Sequence, residues 1–284
     1  MHPNLPPKKV LEWYLEAGVD EAVGEEPRDH FAEPPAPSPA PAAAPAPATP
    51  AGGRTVQAPA SPAAQSPAAT AAAEGLVADA YHAARAASTV EALRQALEAF
   101  DGCPLKKTAT NTVFGDGNPE AKIVFIGEAP GAEEDRKGIP FVGPSGQLLD
   151  RMLGSIGLDR TKVFISNTVF WRPPGNRNPT TTEMAVCIPF IERLIELIDP
   201  SLLVAVGGPA ANSLLAQNAS VSRLRGRWFP YSSPGLPRPI EATAIYHPAY
   251  LLRSPGQKRA AWQDMLGLRR KARDLGLDTA GATD

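Results

Sequence analysis

Cysteine is scarce: the 284 residues contain two, too few for a disulfide framework. Aromatic residues reach only 6%. No run of about 18 apolar residues occurs, which excludes an apolar membrane-spanning helix. The N-terminus, Met1–Lys9, is polar and proline-rich without an apolar centre, so no secretory signal is expected. Neither sign of charge dominates, because 28 Lys and Arg face 30 Asp and Glu. Whole-chain charge therefore points to neither nucleic acid nor an acidic substrate. A soluble intracellular protein is the expectation, with enough apolar residues (43%) for a sizeable core.

Proline, by contrast, is abundant, with 32 residues, and it is concentrated. Residues 33–75 hold 11 Pro and 17 Ala, no aromatic, and only Glu33, Arg54 and Glu74 as charges. Such a segment cannot bury enough apolar surface to offset its ordering entropy. It reads as a disordered, partly polyproline-II linker, reaching on the order of 130 Å at about 3.1 Å per residue. Three regions follow: a short helical segment over 1–32, the linker over 33–75 and a domain over 76–284. Lys8–Ala22 carries Leu11, Tyr14, Leu15 and Val19 near one stripe, a pattern for a helix. It docks back on the domain, meets a protein partner, or does neither. Charge divides at the linker too. Residues 1–75 hold 4 basic and 9 acidic residues, net -5, whereas 76–284 hold 24 and 21, net +3. The larger part permits a polyanionic partner without demanding one.

Within 76–284 two periodicities alternate. Residues 122–127, 163–167, 202–207 and 240–246 are short apolar runs ended by glycine or a polar residue, the pattern of buried parallel strands. Helical patterns cover 145–156, 181–198, 209–216 and about 257–275, with one or two more helices over 77–100. The fold class is α/β: a three-layer α/β/α sandwich around a four-stranded parallel sheet. Ligands in such sheets bind beyond the carboxyl ends of the strands, so the residues following each strand are the first candidates.

The first strand ends in Gly127-Glu128-Ala129-Pro130-Gly131, followed by Ala132 and then Glu133, Glu134 and Asp135. This turn lacks the G-x-G-x-x-G spacing and is acidic, so it does not cradle phosphate. Beyond it, Phe141 sits in a glycine-flanked loop, as either a stacking platform or an aromatic pinned into the core. The second strand ends at Asn167, whose amide can donate and accept at once, as the edge of a base requires; a plain turn former is the alternative. Arg172 and Arg177 lie in R-P-P-G-N-R-N-P, facing either phosphates or solvent. The fourth strand runs into His247, Leu251, Leu252 and Arg253, with Lys258 beyond. Apolar side chains there can wedge a duplex. Glu128, Phe141, Asn167 and His247 thus converge on one end of one sheet.

Together, G-E-A-P-G-x-x-E-D, the F-V-G loop, S-N-x-V, R-P-P-G-N-R-N-P and H-P-A-Y-L-L-R resemble the family 4 uracil-DNA glycosylases, from about Cys103 to about Met265. The resemblance implies a base-excision-repair hydrolase that flips uracil out of DNA and cleaves its glycosidic bond. Glu128 and His247 are then the catalytic candidates. Gly127, Ala129, Glu134, Phe141 and Asn167 would hold the uracil, with Glu134 helping to exclude thymine. Arg172, Arg177, Leu251, Leu252, Arg253 and Lys258 would contact DNA. Ala129 stands where better-known uracil-DNA glycosylases carry a water-activating aspartate, so leaving-group stabilisation is expected to dominate. A glycosylase for another deaminated base, or a weakly catalytic binder of damaged or single-stranded DNA, are the alternatives. The expected partner is uracil-containing DNA, single- or double-stranded. The protein is expected to be a cytoplasmic monomer, at the nucleoid when on DNA.

The resembled family usually carries a [4Fe–4S] cluster on four cysteines. Two of those positions match Cys103 and Cys187; the other two are Phe100 and Trp171. Such a cluster takes four thiolates, so no cofactor is expected, unless a non-cysteine ligand or a second chain completes the set.

Overall fold

The computed structural model describes residues 67–277. The chain divides into two units between Ser61 and Pro62, and everything described lies in the second. The expected Lys8–Ala22 helix and most of the linker lie outside the described residues.

Two helices, α1 (Pro67–Ala86) and α2 (Val90–Ala99), precede the sheet. Thr89 caps α2 by accepting from the Ala92 N–H, which satisfies one of the amides a helix start leaves open. The start of α1 corrects the expected linker boundary, since the helix reaches nine residues back into 33–75. From Pro67 the next proline is Pro104, and an alanine-rich stretch freed of proline is a good helix former.

The sheet has the order β1-β3-β2-β4-β6-β5. Its centre is four parallel strands: β2 (Ile123–Gly127), β3 (Phe164–Asn167), β4 (Leu202–Val206) and β6 (Ile240–Ile245). These are the four expected strands. Two short antiparallel strands, β1 (Asp116–Gly117) and β5 (Phe229–Tyr231), edge them. Strands of two and three residues are too short to show an alternating pattern, so the sequence did not reveal them.

The core strands are buried on both faces, and alternate residues serve opposite layers. Val124, Ile126, Leu203, Ala205, Ala242 and Ala244 pack with α1, α2 and α5 (Thr181–Ile198). Ile123, Phe125, Ile165, Leu202, Val204, Val206 and Ile245 pack with α4 (Pro144–Gly154) and α9 (Lys258–Asp274). This is the expected three-layer sandwich, with the short helices α3 (Ala132–Lys137), α6 (Gly208–Leu214) and α7 (Val221–Leu224) in its connections. The chain lays β3 on one side of β2, then crosses to place β4 and β6 on the other. Strand order therefore reverses between β2 and β4, where a doubly wound sheet opens a crevice at its carboxyl edge. The register keeps that edge level: Gly127 pairs with Asn167 and Val206 with Ile245.

Candidate active site

A cleft of about 500 Å³ opens at this edge. Glu128, Ala129, Glu134, Phe141, Asn167, Arg177, His247 and Arg253 all line it, so three strand ends and two loops converge as expected.

Gly127 closes β2 beneath the cleft. A β-carbon there would collide with the Asn167 amide oxygen and sit 2.7 Å from the Phe141 ring. Glycine is thus what lets the amide and the ring approach each other. The next peptide is pinned, because the Glu128 carbonyl accepts from Thr168 Oγ1 (2.7 Å) and from the Val169 N–H (3.1 Å). The Glu128 carboxyl is half-buried in the cleft, and desolvation raises its pKa above the ordinary range.

Asn167 is almost fully buried, and its Oδ1 has no hydrogen-bond partner among the described residues. Leaving such an acceptor buried and unsatisfied costs about 1–3 kcal/mol. An orphan amide in a cleft wall is what a polar ligand would satisfy.

Phe141 is held in a conformation that L-residues seldom adopt, with φ of 53°. Two opposite charges clamp its loop. Glu134 Oε1 accepts from the Val142 and Gly143 N–H groups, both at 2.9 Å. Arg160 donates to the Pro140 carbonyl (3.1 Å) and to the Phe141 carbonyl. Arg160 is itself held by Asp116 (2.7 Å) and Asp150 (2.9 Å). Gly146 in α4 completes the seat, since a β-carbon there would overlap the Phe141 carbonyl. Backbone strain of this kind persists only where surrounding contacts over-determine it. It turns the ring toward His247, with ring centroids 5.6 Å apart at 30°.

His247 precedes α8 (Pro248–Arg253), and its Nδ1 accepts from the Ala249 N–H at 3.1 Å. That bond leaves the proton of the neutral ring on Nε2. Burial lowers the imidazole pKa to about 4; Arg253 acts in the same direction, and Glu134 opposes. At neutral pH His247 is therefore an uncharged donor.

Several residues depart from expectation. Leu251 is 1% exposed and packs with Tyr246 and Ala261, so it is a core residue and no wedge. In a six-residue helix adjacent leucines lie about 100° apart; only Leu252, 41% exposed, faces outward. Arg177 borders the cleft but gives both terminal nitrogens to buried Glu183, at 2.8 and 2.7 Å. Glu183 also closes a capping box with Thr180 at the start of α5. Arg177 therefore anchors its loop. Arg172 is half-buried, with Nε on Asn176 Oδ1 at 2.7 Å, while Arg253 and Lys258 are exposed.

Other cleft residues went unnoticed in the sequence. Ser145 and the turn Gly207-Gly208-Pro209 line the cleft, and the Gly207 N–H donates to the Ile245 carbonyl at 2.9 Å. A glycine–proline turn closing the third expected strand was the available signal. Arg160 and Gly146 had none, because their roles arise from residues brought close by the fold.

Away from the cleft, the four positions matched to cluster ligands gather in one apolar region. Cys103 and Cys187 are buried, and their thiols share a hydrogen bond that lowers the pKa of Cys103 and raises that of Cys187. Phe100 packs against Phe190, with ring centroids 5.3 Å apart and planes tilted at 55°. Trp171 is buried between this region and Thr112, whose Oγ1 accepts from the indole N–H at 3.0 Å. Two thiols beside two aromatic rings are not the donor set of a four-iron cluster. Among the described residues no group of three or more His, Cys, Asp or Glu is arranged to hold a metal ion.

Residues 114–266 match the model of the uracil DNA glycosylase superfamily. The chain belongs to that superfamily. It is 44% identical over 157 residues to a type-4 uracil-DNA glycosylase of Archaeoglobus fulgidus, covering 54% of this chain and 78% of that one. With the type-4 enzyme of Thermotoga maritima it shares 40% over 166 residues, 58% of this chain and 84% of the relative. With that of Sulfurisphaera tokodaii it shares 35% over 189 residues, 65% and 85% respectively. The matched span of this glycosylase-superfamily chain contains every cleft residue named above. No helix among the described residues is long and apolar enough to cross a membrane.

Proposed function

We propose that this chain is a DNA-repair hydrolase that removes uracil from DNA, leaving an abasic site, and that the cleft performs the reaction with the following division of labour. The flipped base lies against Phe141. Asn167 Oδ1 accepts from uracil N3–H, and its amide nitrogen donates to O4. Cytosine presents the opposite pattern and is refused. The unsatisfied Asn167 oxygen, in the same cleft as the His247 donor, is the observation that carries this reading.

As the N1–C1′ bond breaks, its electron pair passes into the uracil ring and concentrates on O2. His247 donates to that oxygen from Nε2. A neutral donor held beforehand by the Ala249 N–H needs no reorganisation as the charge develops. The sugar becomes cationic at C1′; water adds its oxygen there and gives up a proton. Glu128, whose pKa burial raises, accepts that proton or steadies the water. With Ala129 beside Pro130 no second carboxylate assists, so stabilisation of the leaving uracil supplies most of the acceleration. Glu134 acts through its loop: by holding the Val142 and Gly143 amides it fixes Phe141, and we assign it there instead of to thymine exclusion.

The same reading has this chain working without an iron–sulfur cluster, as a cytoplasmic monomer. The pair of cysteines, and Phe100 and Trp171 in the remaining positions, support the absence of the cluster. One assay tests the activity and its specificity. Single-stranded oligonucleotides carrying uracil, hypoxanthine or xanthine are incubated with the protein and treated with alkali. Strand breakage at uracil well above the other two is expected. Breakage mainly at hypoxanthine or xanthine would make it a glycosylase for another deaminated base, and binding without breakage would make it a DNA binder.

A further inference from the structure

Five large hydrophobic side chains are exposed among the described residues: Tyr81, Ile139, Leu252, Trp262 and Leu275. Single exposed apolar residues are ordinary; their placement here is less so. Ile139 lies two residues before Phe141, and Leu252 adjoins Arg253, which lines the cleft. Trp262, 42% exposed, stands one turn into α9. The residue beside it, Ala261, is buried in the cluster that holds Leu251 and Tyr246. The surface of early α9 therefore continues that of α8, whose first residue follows His247.

Its charge has one sign. From Pro248 to Gln263 there is no acidic residue, while Arg253, Lys258 and Arg259 are all exposed. Lys258 and Arg259 precede Trp262 by four and three positions, the spacing that puts side chains on one helix face. The first acid beyond, Asp264, is buried and engaged by Arg225 at 2.7 Å. An exposed aromatic set among cations, continuous with a cleft that takes one base, is the combination by which proteins hold single-stranded nucleic acid.

We infer that Trp262, with Arg253, Lys258 and Arg259, forms a second DNA-contact ridge beside the cleft, on which an unpaired base beyond the immediate neighbours of the flipped uracil stacks. The ridge rests on the uracil-excision reading for its purpose. It would favour uracil in single-stranded DNA, where flanking bases are free to turn onto the indole.

The test uses the full chain, Trp262→Ala and Trp262→Phe. Excision is measured on a uracil trinucleotide and on single strands of about 20 nucleotides, long enough to cross cleft and ridge. For Trp262→Ala, KM on the long strand is expected to rise roughly tenfold, the loss of one aromatic–base stack. On the trinucleotide KM should stay within about twofold, because that substrate ends inside the cleft. Trp262→Phe should recover part of the long-strand affinity. Independently, a uracil-free single strand should quench the intrinsic fluorescence of the wild type more than that of Trp262→Phe. Equal KM for Trp262→Ala and wild type on the long strand would overturn the ridge, as would an equal loss on both lengths. The quenching measurement does not depend on catalysis. A chain that excised nothing yet showed Trp262-dependent quenching would keep the ridge and sink the glycosylase reading.

Discussion

Two parts of the domain treat polar and apolar groups in opposite ways. At the carboxyl edge of the sheet, Asn167 keeps a buried oxygen without a partner among the described residues, Phe141 keeps a strained backbone, and His247 is held uncharged by burial. Around Cys103 and Cys187 the thiols share a hydrogen bond, the Trp171 N–H is satisfied, and Phe100 and Phe190 pack ring to ring. On the function proposed above, the first region gives up stability to meet a ligand, whereas the second holds loops together by packing. Function and cohesion therefore sit in different residues and should respond separately to substitution.

The largest expected separation comes from Trp171→Ala. Removing a buried tryptophan should cost about 3–5 kcal/mol, read as a lowered denaturation midpoint, with the excision rate per folded molecule preserved. A parallel loss of rate and stability would show that the packed region shapes the cleft. His247→Ala is the converse. Single-turnover excision is expected to fall about 10²–10³-fold, the usual cost of losing one pre-set donor to a developing oxyanion, while substrate affinity and stability change little. Weakened binding with an unaltered rate would place His247 in ground-state recognition instead.

Acid sharpens the comparison. The folded pKa of His247 is about 4 against 6.5 when exposed. Above pH 6.5 the ring is neutral in both states and adds no pH dependence; stability is lost as pH falls from 6.5 toward 4, because the unfolded chain takes up a proton that the folded one refuses. The decline amounts to about 3 kcal/mol. His247→Asn should flatten the melting temperature over that window; an unchanged pH profile would mean that the imidazole is not held neutral. Asn167→Asp should lower uracil excision by about tenfold or more and admit some cytosine, whose amino group a carboxylate can accept from. Smallest of all is removal of residues 1–66, which should leave excision of a short oligonucleotide within about twofold, as a proline- and alanine-rich tether seldom builds a site. The cut belongs at 66, not at 75, because α1 starts at Pro67 and its Ala80 and Ala84 are core residues.

How far the sequence could be read follows from which interactions are local. The four parallel strands were legible because burial on both faces leaves continuous apolar runs. Glu128, Asn167 and His247 were legible because each ends such a run. Arg160 was not: its partners Asp116, Pro140, Phe141 and Asp150 lie 10–44 positions away. Leu251 misled because Leu-Leu-Arg states composition, while the turn of a helix decides which leucine faces out. The acidic turn was rightly read as unfit for phosphate, but the use of Glu134 depends on amides eight and nine residues on.

The most direct test of the contrast between the two regions joins iron content to activity. Protein purified anaerobically is assayed for iron, for absorbance near about 400 nm characteristic of thiolate-bound clusters, and for uracil excision on the same sample. The account predicts colourless, iron-free protein that excises uracil at full rate. About four irons per chain, with activity that follows iron content, would contradict it.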